Sequence, residues 1–130
     1  LRGSDKDINY DRETIQHTVQ LLIREKLCPN VIVDCAHGNS SKNHRNQVVV
    51  FEELMDRIKN GDNRVKGLML ESNLFDGNIH MYESSSERKQ LSWGTSHTDP
   101  CIDWDTTAQL LFSSLERTQP VSSCASKCNL

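Results

Sequence analysis

The sequence lacks the features that mark secreted, membrane-bound or nucleic-acid-binding proteins. Five cysteines are an odd number, and because no CxxC pair occurs we expect neither a disulfide framework nor a structural zinc knuckle. No apolar run approaches the roughly 18 residues that suggest a membrane span, and the first residues show no charged-then-apolar signal layout. The net charge of -3, with scattered Lys and Arg, gives no basic field for nucleic acid. We therefore expect a cytoplasmic protein that binds neither membranes nor nucleic acid.

An initiator methionine is also absent, since the 130 residues begin with Leu1. We therefore expect the chain to be part of a longer protein. Residues 119–130 are mostly small and polar, a composition that predicts a disordered tail. Cys124 and Cys128 lie in this tail, where we expect no structural role for them.

Helix-like and strand-like segments alternate along the chain. Apolar residues spaced three and four apart predict helices, and short apolar runs predict strands buried on both faces of a parallel sheet. In chain order, the patterns predict a strand end at 1–3, a helix at 11–27, a strand at 31–33, a helix at 43–60, a strand at 65–70, a long loop at 74–97 and a helix that begins near Pro100. This alternation predicts an α/β fold with right-handed crossovers.

Two of the predicted strands deliver a metal-binding side chain at their carboxyl ends. His37 lies four residues after the first of them, and Glu71 directly follows the second. Because the carboxyl ends of parallel strands meet at one edge of a sheet, we expect both side chains at that edge. Each also has a simpler explanation. His37 could be a surface histidine in a Gly-Asn-Ser turn, and Glu71 could form an ion pair with Lys66 or another basic residue, or simply be exposed at the strand end.

A second carboxylate comes from a loop. Asp99 directly precedes Pro100, a position where aspartate commonly caps a helix, and that alternative stays open. One imidazole and two carboxylates form a ligand set for a divalent cation, and these residue types admit manganese, iron, cobalt or zinc. The set of His37, Glu71 and Asp99 therefore indicates a divalent-metal site.

Five short motifs follow one another in order: LRG at 1–3, DCAHGNSSK at 34–42, LES at 70–72, WG at 93–94 and TDPCIDW at 98–104. Together they resemble the carboxy-terminal part of the class I 3-deoxy-D-arabino-heptulosonate 7-phosphate (DAHP) synthases. The resemblance implies that residues 1–118 are the last strand-helix units of an eight-stranded (β/α) TIM barrel. Such a barrel needs roughly 250 residues, so it would be incomplete in this chain.

The resemblance also implies a function. Class I DAHP synthases condense phosphoenolpyruvate with erythrose 4-phosphate and water to DAHP and phosphate, the first step of the shikimate pathway to aromatic amino acids. The implied catalytic metal, manganese in the first place, is held by His37, Glu71 and Asp99 and by a cysteine from an earlier part of the barrel. Arg2 is expected to contact the phosphate of phosphoenolpyruvate. Lys42 is expected either to hold a sugar phosphate or to cap the following helix.

The complete enzyme is expected to be a homo-oligomer, and the 130-residue chain alone is expected to be inactive. Two other functions stay open, namely a non-catalytic fragment that acts as an interaction module, and a related metal-dependent aldolase for another sugar phosphate. Cys35 and Cys101 are expected to be packing residues, and His97 a loop residue. No site role is expected for His17, His44 and His80.

Overall fold

Three α-helices and two strands make up the part of the chain that the structure describes, residues 1–79 and 92–117 of a computed structural model. The helices are α1 (Arg12–Arg24), α2 (Gln47–Lys59) and α3 (Trp104–Arg117), and a short 3-10 helix (His44–Asn46) leads into α2. The strands are β1 (Val31–Asp34) and β2 (Val65–Met69). None of these helices has the length and apolarity to cross a membrane. The predicted tail at 119–130, His80 and part of the loop predicted at 74–97 lie outside the described residues.

The first predicted helix is confirmed, but it is shorter than predicted. Asp11 caps α1 by accepting a hydrogen bond from a first-turn amide at 2.8 Å. The helix ends at Arg24 instead of residue 27 because Lys26 adopts a left-handed backbone conformation, with φ at 58°. The Leu27 amide then turns back to the Leu22 carbonyl at 2.8 Å, which closes the helix and directs the chain toward β1.

The second predicted helix is found as two joined pieces, the 3-10 helix and α2. The side chain of Asn43 caps the 3-10 helix by accepting a hydrogen bond from the Arg45 amide at 3.2 Å. Gly61, with φ at 92°, follows the end of α2 in the left-handed conformation that stops a helix, as predicted.

The described strands lie side by side in chain order, and they are parallel. β1 pairs with β2. On the other side of β1, the Leu1 amino group donates to the Ile32 carbonyl at 2.7 Å, and the Leu1 carbonyl accepts from the Asp34 amide at 2.8 Å. Beyond β2, the Ile102 amide donates to the Glu71 carbonyl at 3.0 Å. This order confirms the predicted α/β fold with a parallel sheet.

The helices pack on one face of the sheet. All three helices contribute to the buried core: Ile15 from α1, Val50, Phe51 and Leu54 from α2, and Leu110 from α3. Val31 and Val33 of β1 belong to the same cluster, whereas Ile32 between them is 62% exposed. The prediction that this strand is buried on both faces is therefore wrong for the described structure. Side chains alternate along a strand, and the core cluster covers only the face that carries Val31 and Val33.

The last helix begins later than predicted. It was expected near Pro100, but α3 starts at Trp104. Ile102 is held at the sheet edge, so the helix can begin only after it. Asp103 then caps α3, because its carboxylate accepts a hydrogen bond from the Thr106 amide at 2.7 Å. Asp99 is therefore not the helix cap, and its carboxylate is left for another role.

Candidate metal centre

The turn after β1 presents His37 with one ring nitrogen already engaged. Its Nδ1 lies 2.8 Å from Oδ2 of Asp34, and the other Asp34 oxygen accepts from the Ala36 amide at 2.8 Å. A carboxylate on Nδ1 favours the tautomer that carries its proton there, which leaves the Nε2 lone pair available. His37 also has a positive φ of 53°, a costly backbone conformation for a residue other than glycine. The structure therefore holds this imidazole in one orientation.

Glu71 directly follows β2, and a side chain from another element holds its backbone in place. The buried side chain of Gln47 accepts from the Glu71 amide at 2.7 Å and donates to the Glu71 carbonyl at 3.2 Å. Burial raises the pKa of the Glu71 carboxyl, and the nearby Asp99 and Asp34 carboxylates raise it further, while His37 lowers it. The carboxylate faces Nε2 of His37, so the alternative ion pair with Lys66 is not what the structure contains.

The third group, Asp99, comes from the loop before α3. Its Oδ2 lies 3.5 Å from Nε2 of His37, and Oε1 of Glu71 lies 3.3 Å from the same nitrogen. One ligand atom from each of the three residues lies within 4.8 Å of the others. Ligands bonded to a metal at about 2.1 Å lie roughly 3 to 4 Å from one another. The donor set and its spacing therefore fit a divalent cation, as the sequence indicated.

Backbone contacts attach the Arg2 segment to the His37 turn. The Arg2 carbonyl accepts from the Gly38 amide at 3.1 Å. A Cβ on Gly38 would lie 2.4 Å from the Ser4 carbonyl oxygen, and one on Gly3 would lie 2.5 Å from the Asn39 amide nitrogen. Only glycines allow the two backbones to approach this closely. The structure thereby positions the Arg2 backbone beside the His37 turn.

A cleft of about 530 Å³ is lined by His37, Glu71 and Asp99 and also by cationic side chains. Arg2 and Lys42, the two predicted substrate-binding residues, both line it. Nζ of Lys42 lies 2.7 Å from the Asp5 carboxylate at the same cleft, and hydrogen bonding to Lys42 lowers the pKa of Asp5. Lys42 thus lies on the cleft wall, in an ion pair that the sequence did not indicate.

The cysteines close to the centre are packing residues or only half-buried. Cys35 is fully buried, and burial, assisted by the charge of Asp34, raises the pKa of its thiol to about 12. Burial also raises the pKa of Cys101. Among the described residues, neither thiol belongs to the group of ligand atoms that converge at the centre, which is His37, Glu71 and Asp99. Cys28, Cys35 and Cys101, the cysteines within the described residues, are all free.

Two groups at this edge of the sheet were missed by reasoning from the sequence. Asp34 orients His37, and the signal available was its position three residues earlier at the strand end. Gln47 fixes Glu71 across 24 residues of sequence, and no local pattern indicates it. His44, for which no site role was expected, lies with its Nε2 2.9 Å from Asp76, a pairing that the sequence did not indicate. His17 and His97 are exposed, as expected for residues without a site role.

Known proteins match this chain over most of its length. The family model described as the DAHP synthetase I family matches residues 1–112. A tyrosine-inhibited phospho-2-dehydro-3-deoxyheptonate aldolase of Schizosaccharomyces pombe is 39% identical over 111 residues, which are 85% of this chain and 30% of that protein. The Tyr-sensitive protein of the same name from Escherichia coli is 39% identical, also over 85% of this chain and 30% of its own length.

The fold matches as well. A solved structure of phospho-2-dehydro-3-deoxyheptonate aldolase from Francisella tularensis superimposes with a TM-score of 0.78 at 33% identity. The match covers 90% of this chain and 33% of that one. The chain thus spans 30% of the length of the two curated relatives above.

Proposed function

The chain belongs to the DAHP synthetase I family, and on that premise we propose that it forms part of a DAHP synthase. The enzyme condenses phosphoenolpyruvate with erythrose 4-phosphate and water to DAHP and phosphate, at the start of aromatic amino acid biosynthesis. One observation carries the proposal: a single cleft contains the ligand atoms of His37, Glu71 and Asp99 together with Arg2 and Lys42. A cation site beside basic side chains suits two phosphorylated substrates.

The residues that would hold the metal are His37, through Nε2, and the carboxylates of Glu71 and Asp99. The metal would supply Lewis-acid polarisation of the sugar-phosphate aldehyde. We propose manganese, and iron, cobalt or zinc would suit the same ligands. Neither Cys35 nor Cys101 belongs to the converging ligand group of the described residues, so a cysteine from another part of the protein would complete the set.

The side chains of this chain have separate tasks in the proposed reaction. Asp34 keeps the Nδ1 proton of His37 and so leaves Nε2 free as a ligand. Arg2 would hold the phosphate of phosphoenolpyruvate, and Lys42 would hold that of the sugar phosphate after leaving Asp5. The metal ligand His37 is thus oriented before substrate binds, whereas Lys42 would exchange Asp5 for the substrate.

The strand order supports the wider architecture. Consecutive strands that are neighbours and parallel, with helices on one face, are the repeating unit of a (β/α) barrel. We propose that residues 1–118 contribute strand-helix units to such a barrel and that other strands of the protein close it. The uncovered face at Ile32 would then pack inside the barrel. Homo-oligomeric assembly and a cytoplasmic location complete the proposal.

The direct test is titration of manganese into the 130-residue chain under reducing conditions by isothermal calorimetry. We expect saturable binding that is lost in His37→Ala and kept in His97→Ala, since His97 is exposed outside the ligand set. The absence of saturable binding, or equal binding by His37→Ala, would contradict the proposed site. A fragment that acts only as an interaction module would self-associate without binding manganese.

Activity needs a separate assay. We expect no DAHP from the 130-residue chain alone, because the chain spans 30% of its relatives' length. In the protein that contains this chain and the remaining strands, Glu71→Gln is expected to abolish metal-dependent DAHP formation from the two substrates. Turnover of a different sugar phosphate, with none of erythrose 4-phosphate, would identify a related aldolase instead.

A further inference from the structure

An ion-paired cluster that the proposed reaction does not use lies beside the metal centre. The cluster comprises His44, Arg45 and Asp76, and it links the 3-10 helix to the loop after β2. Nε2 of His44 lies 2.9 Å from one Asp76 oxygen, and Arg45 donates to the other oxygen at 2.9 Å. The hydrogen bond from Arg45 lowers the pKa of Asp76, so the carboxylate remains ionised and orients the imidazole.

The two basic members of the cluster face different surroundings. The His44 side chain is 17% exposed and lines the same cleft as His37, Glu71 and Lys42. The Arg45 side chain is 73% exposed and lines a separate depression with Asp76. Arg45 therefore serves to hold Asp76, whereas His44 is available to a ligand in the cleft.

One nitrogen of His44 is left for such a ligand. Asp76 engages Nε2, and no hydrogen bond to Nδ1 is formed within residues 1–79 and 92–117. When the imidazole is protonated, both of its nitrogens donate, so Nδ1 can donate to an anion in the cleft. A ring fixed by a carboxylate on one side is a preorganised donor on the other.

The neighbouring cation indicates which chemistry the ligand carries. Lys42 lies two residues before His44, in the turn that precedes the 3-10 helix, and its ammonium already takes an anionic partner, the Asp5 carboxylate, at 2.7 Å. An ammonium and an imidazole nitrogen on one cleft wall suit a phosphoryl group, which offers several strong acceptor oxygens. We infer that Nδ1 of His44 and Nζ of Lys42 together bind a phosphoryl group in this cleft, an inference that rests on the proposed function.

Two substitutions separate this role from a merely structural one. His44→Gln reaches Asp76 with its amide, as Nε2 does, but has no group at the Nδ1 position. His44→Asn is shorter, so it keeps a donor near the Nδ1 position and loses Asp76. His17→Gln, on the exposed surface of α1, is the matched control.

The experiment titrates inorganic phosphate into the 130-residue chain at constant ionic strength and follows binding by phosphorus NMR, with manganese titration in parallel. We expect His44→Gln to weaken phosphate binding about tenfold, the effect of losing one hydrogen bond to a charged group. His17→Gln should stay close to the unchanged chain, and His44→Asn, which keeps a donor but loses the contact with Asp76, should bind phosphate more tightly than His44→Gln and more weakly than the unchanged chain. All variants should bind manganese equally.

Phosphate binding by His44→Gln that equals that of the unchanged chain would overturn the inference. Loss of manganese binding in the same variant would also overturn it, because His44 would then act by holding the loop that carries Glu71. Failure of the proposed function has another signature, which is absence of manganese binding in the unchanged chain. The two failures are therefore distinguishable.

Discussion

The two ends of the parallel sheet hold their carboxylates in opposite ways. At the amino end of β2, Asp62 accepts two hydrogen bonds from the Arg64 guanidinium, at 2.7 and 2.6 Å, and one from the Arg64 amide at 3.2 Å. This pairing lowers the pKa of Asp62. At the carboxyl end, Glu71 and Asp99 face His37 without an ion pair to lysine or arginine among the described residues, and burial raises the pKa of Glu71. The carboxylate at the amino end is neutralised by an arginine of the same chain, whereas the two carboxylates at the carboxyl end are arranged in a way that fits an external cation.

This difference separates stability from function. A carboxylate paired with its own arginine contributes to folding and offers little to a ligand. Two carboxylates next to each other cost stability until a cation binds between them. The division matches the general behaviour of barrel folds, in which the carboxyl ends of the strands carry the chemistry and the amino ends carry stability.

The largest expected effect comes from forcing apart the two backbone segments that meet at the carboxyl end of the sheet, the Arg2 segment and the His37 turn. Gly38→Ala places a Cβ 2.4 Å from the Ser4 carbonyl oxygen, so the Arg2 segment and the His37 turn must separate. We expect a loss of about 3 kcal/mol or more in the free energy of unfolding, measured by urea denaturation.

The matched control lies at the amino end. A Cβ on Gly61 meets nothing within 4 Å, so Gly61→Ala carries only the strain of its positive φ of 92°. We expect a cost of about 1 to 2 kcal/mol. Equal losses in the free energy of unfolding for the two variants would contradict the view that close backbone contact holds the Arg2 segment against the His37 turn.

Manganese provides the second test, because it should stabilise only a chain with an intact carboxyl end. At a concentration one hundred times its Kd, a ligand specific for the folded state adds about 2.7 kcal/mol to the free energy of unfolding. We expect this gain in the unchanged chain and in Asp62→Asn, and its absence in Glu71→Gln. Thermal unfolding with and without the metal measures it, and a gain that survives in Glu71→Gln would exclude Glu71 as a ligand.

The third test removes only the hydrogen bond that orients the His37 ring. In Asp34→Asn the amide no longer favours the His37 tautomer with its proton on Nδ1, although the Ala36 amide keeps an acceptor. We expect manganese affinity to fall about 10- to 100-fold by calorimetry. Asp62→Asn is the same substitution at the opposite end, and it should leave the affinity unchanged. An unaltered affinity in Asp34→Asn would mean that packing alone orients the ring.

The candidate ligands could be picked out from the sequence because they follow strands or lie in a family motif. His37 and Glu71 each end an apolar run, and parallel strands bring such positions to one edge. Asp99 was ambiguous from local pattern, because the helix could have started at Pro100. The pairing of Ile102 with the sheet decides this point, and that pairing is a tertiary contact.

The residues that support the site could not be predicted, because they also depend on tertiary contacts. Gln47 and Glu71 are 24 residues apart, and His44 and Asp76 are 32 apart, so the pairs meet only after the crossover is folded. The exposure of Ile32 also escaped prediction, since a continuous apolar run does not indicate which face is covered. Local pattern thus predicts which residues reach the site, while tertiary contacts determine how they are held.

The smallest expected effect is a difference in the acid dependence of stability. The pKa of Asp62 in the folded chain lies below its ordinary value of 3.8, so its pairing with Arg64 stabilises the fold above that value and is lost as the pH falls through the folded-state pKa. We expect Asp62→Asn to lower the free energy of unfolding by about 1 kcal/mol at neutral pH. The difference from the unchanged chain should shrink on acidification, as measured by urea denaturation across pH.

Glu71 should respond with the opposite sign. Its folded-state pKa lies above the ordinary value of 4.5, so the ionised carboxylate costs stability above that folded-state pKa, and the cost disappears as the pH falls. Without metal, Glu71→Gln should therefore be slightly more stable than the unchanged chain at neutral pH and lose this advantage in acid. If both substitutions shifted stability in the same direction at neutral pH, the two ends of the sheet would not differ in charge balance, and the carboxyl end would need no external cation.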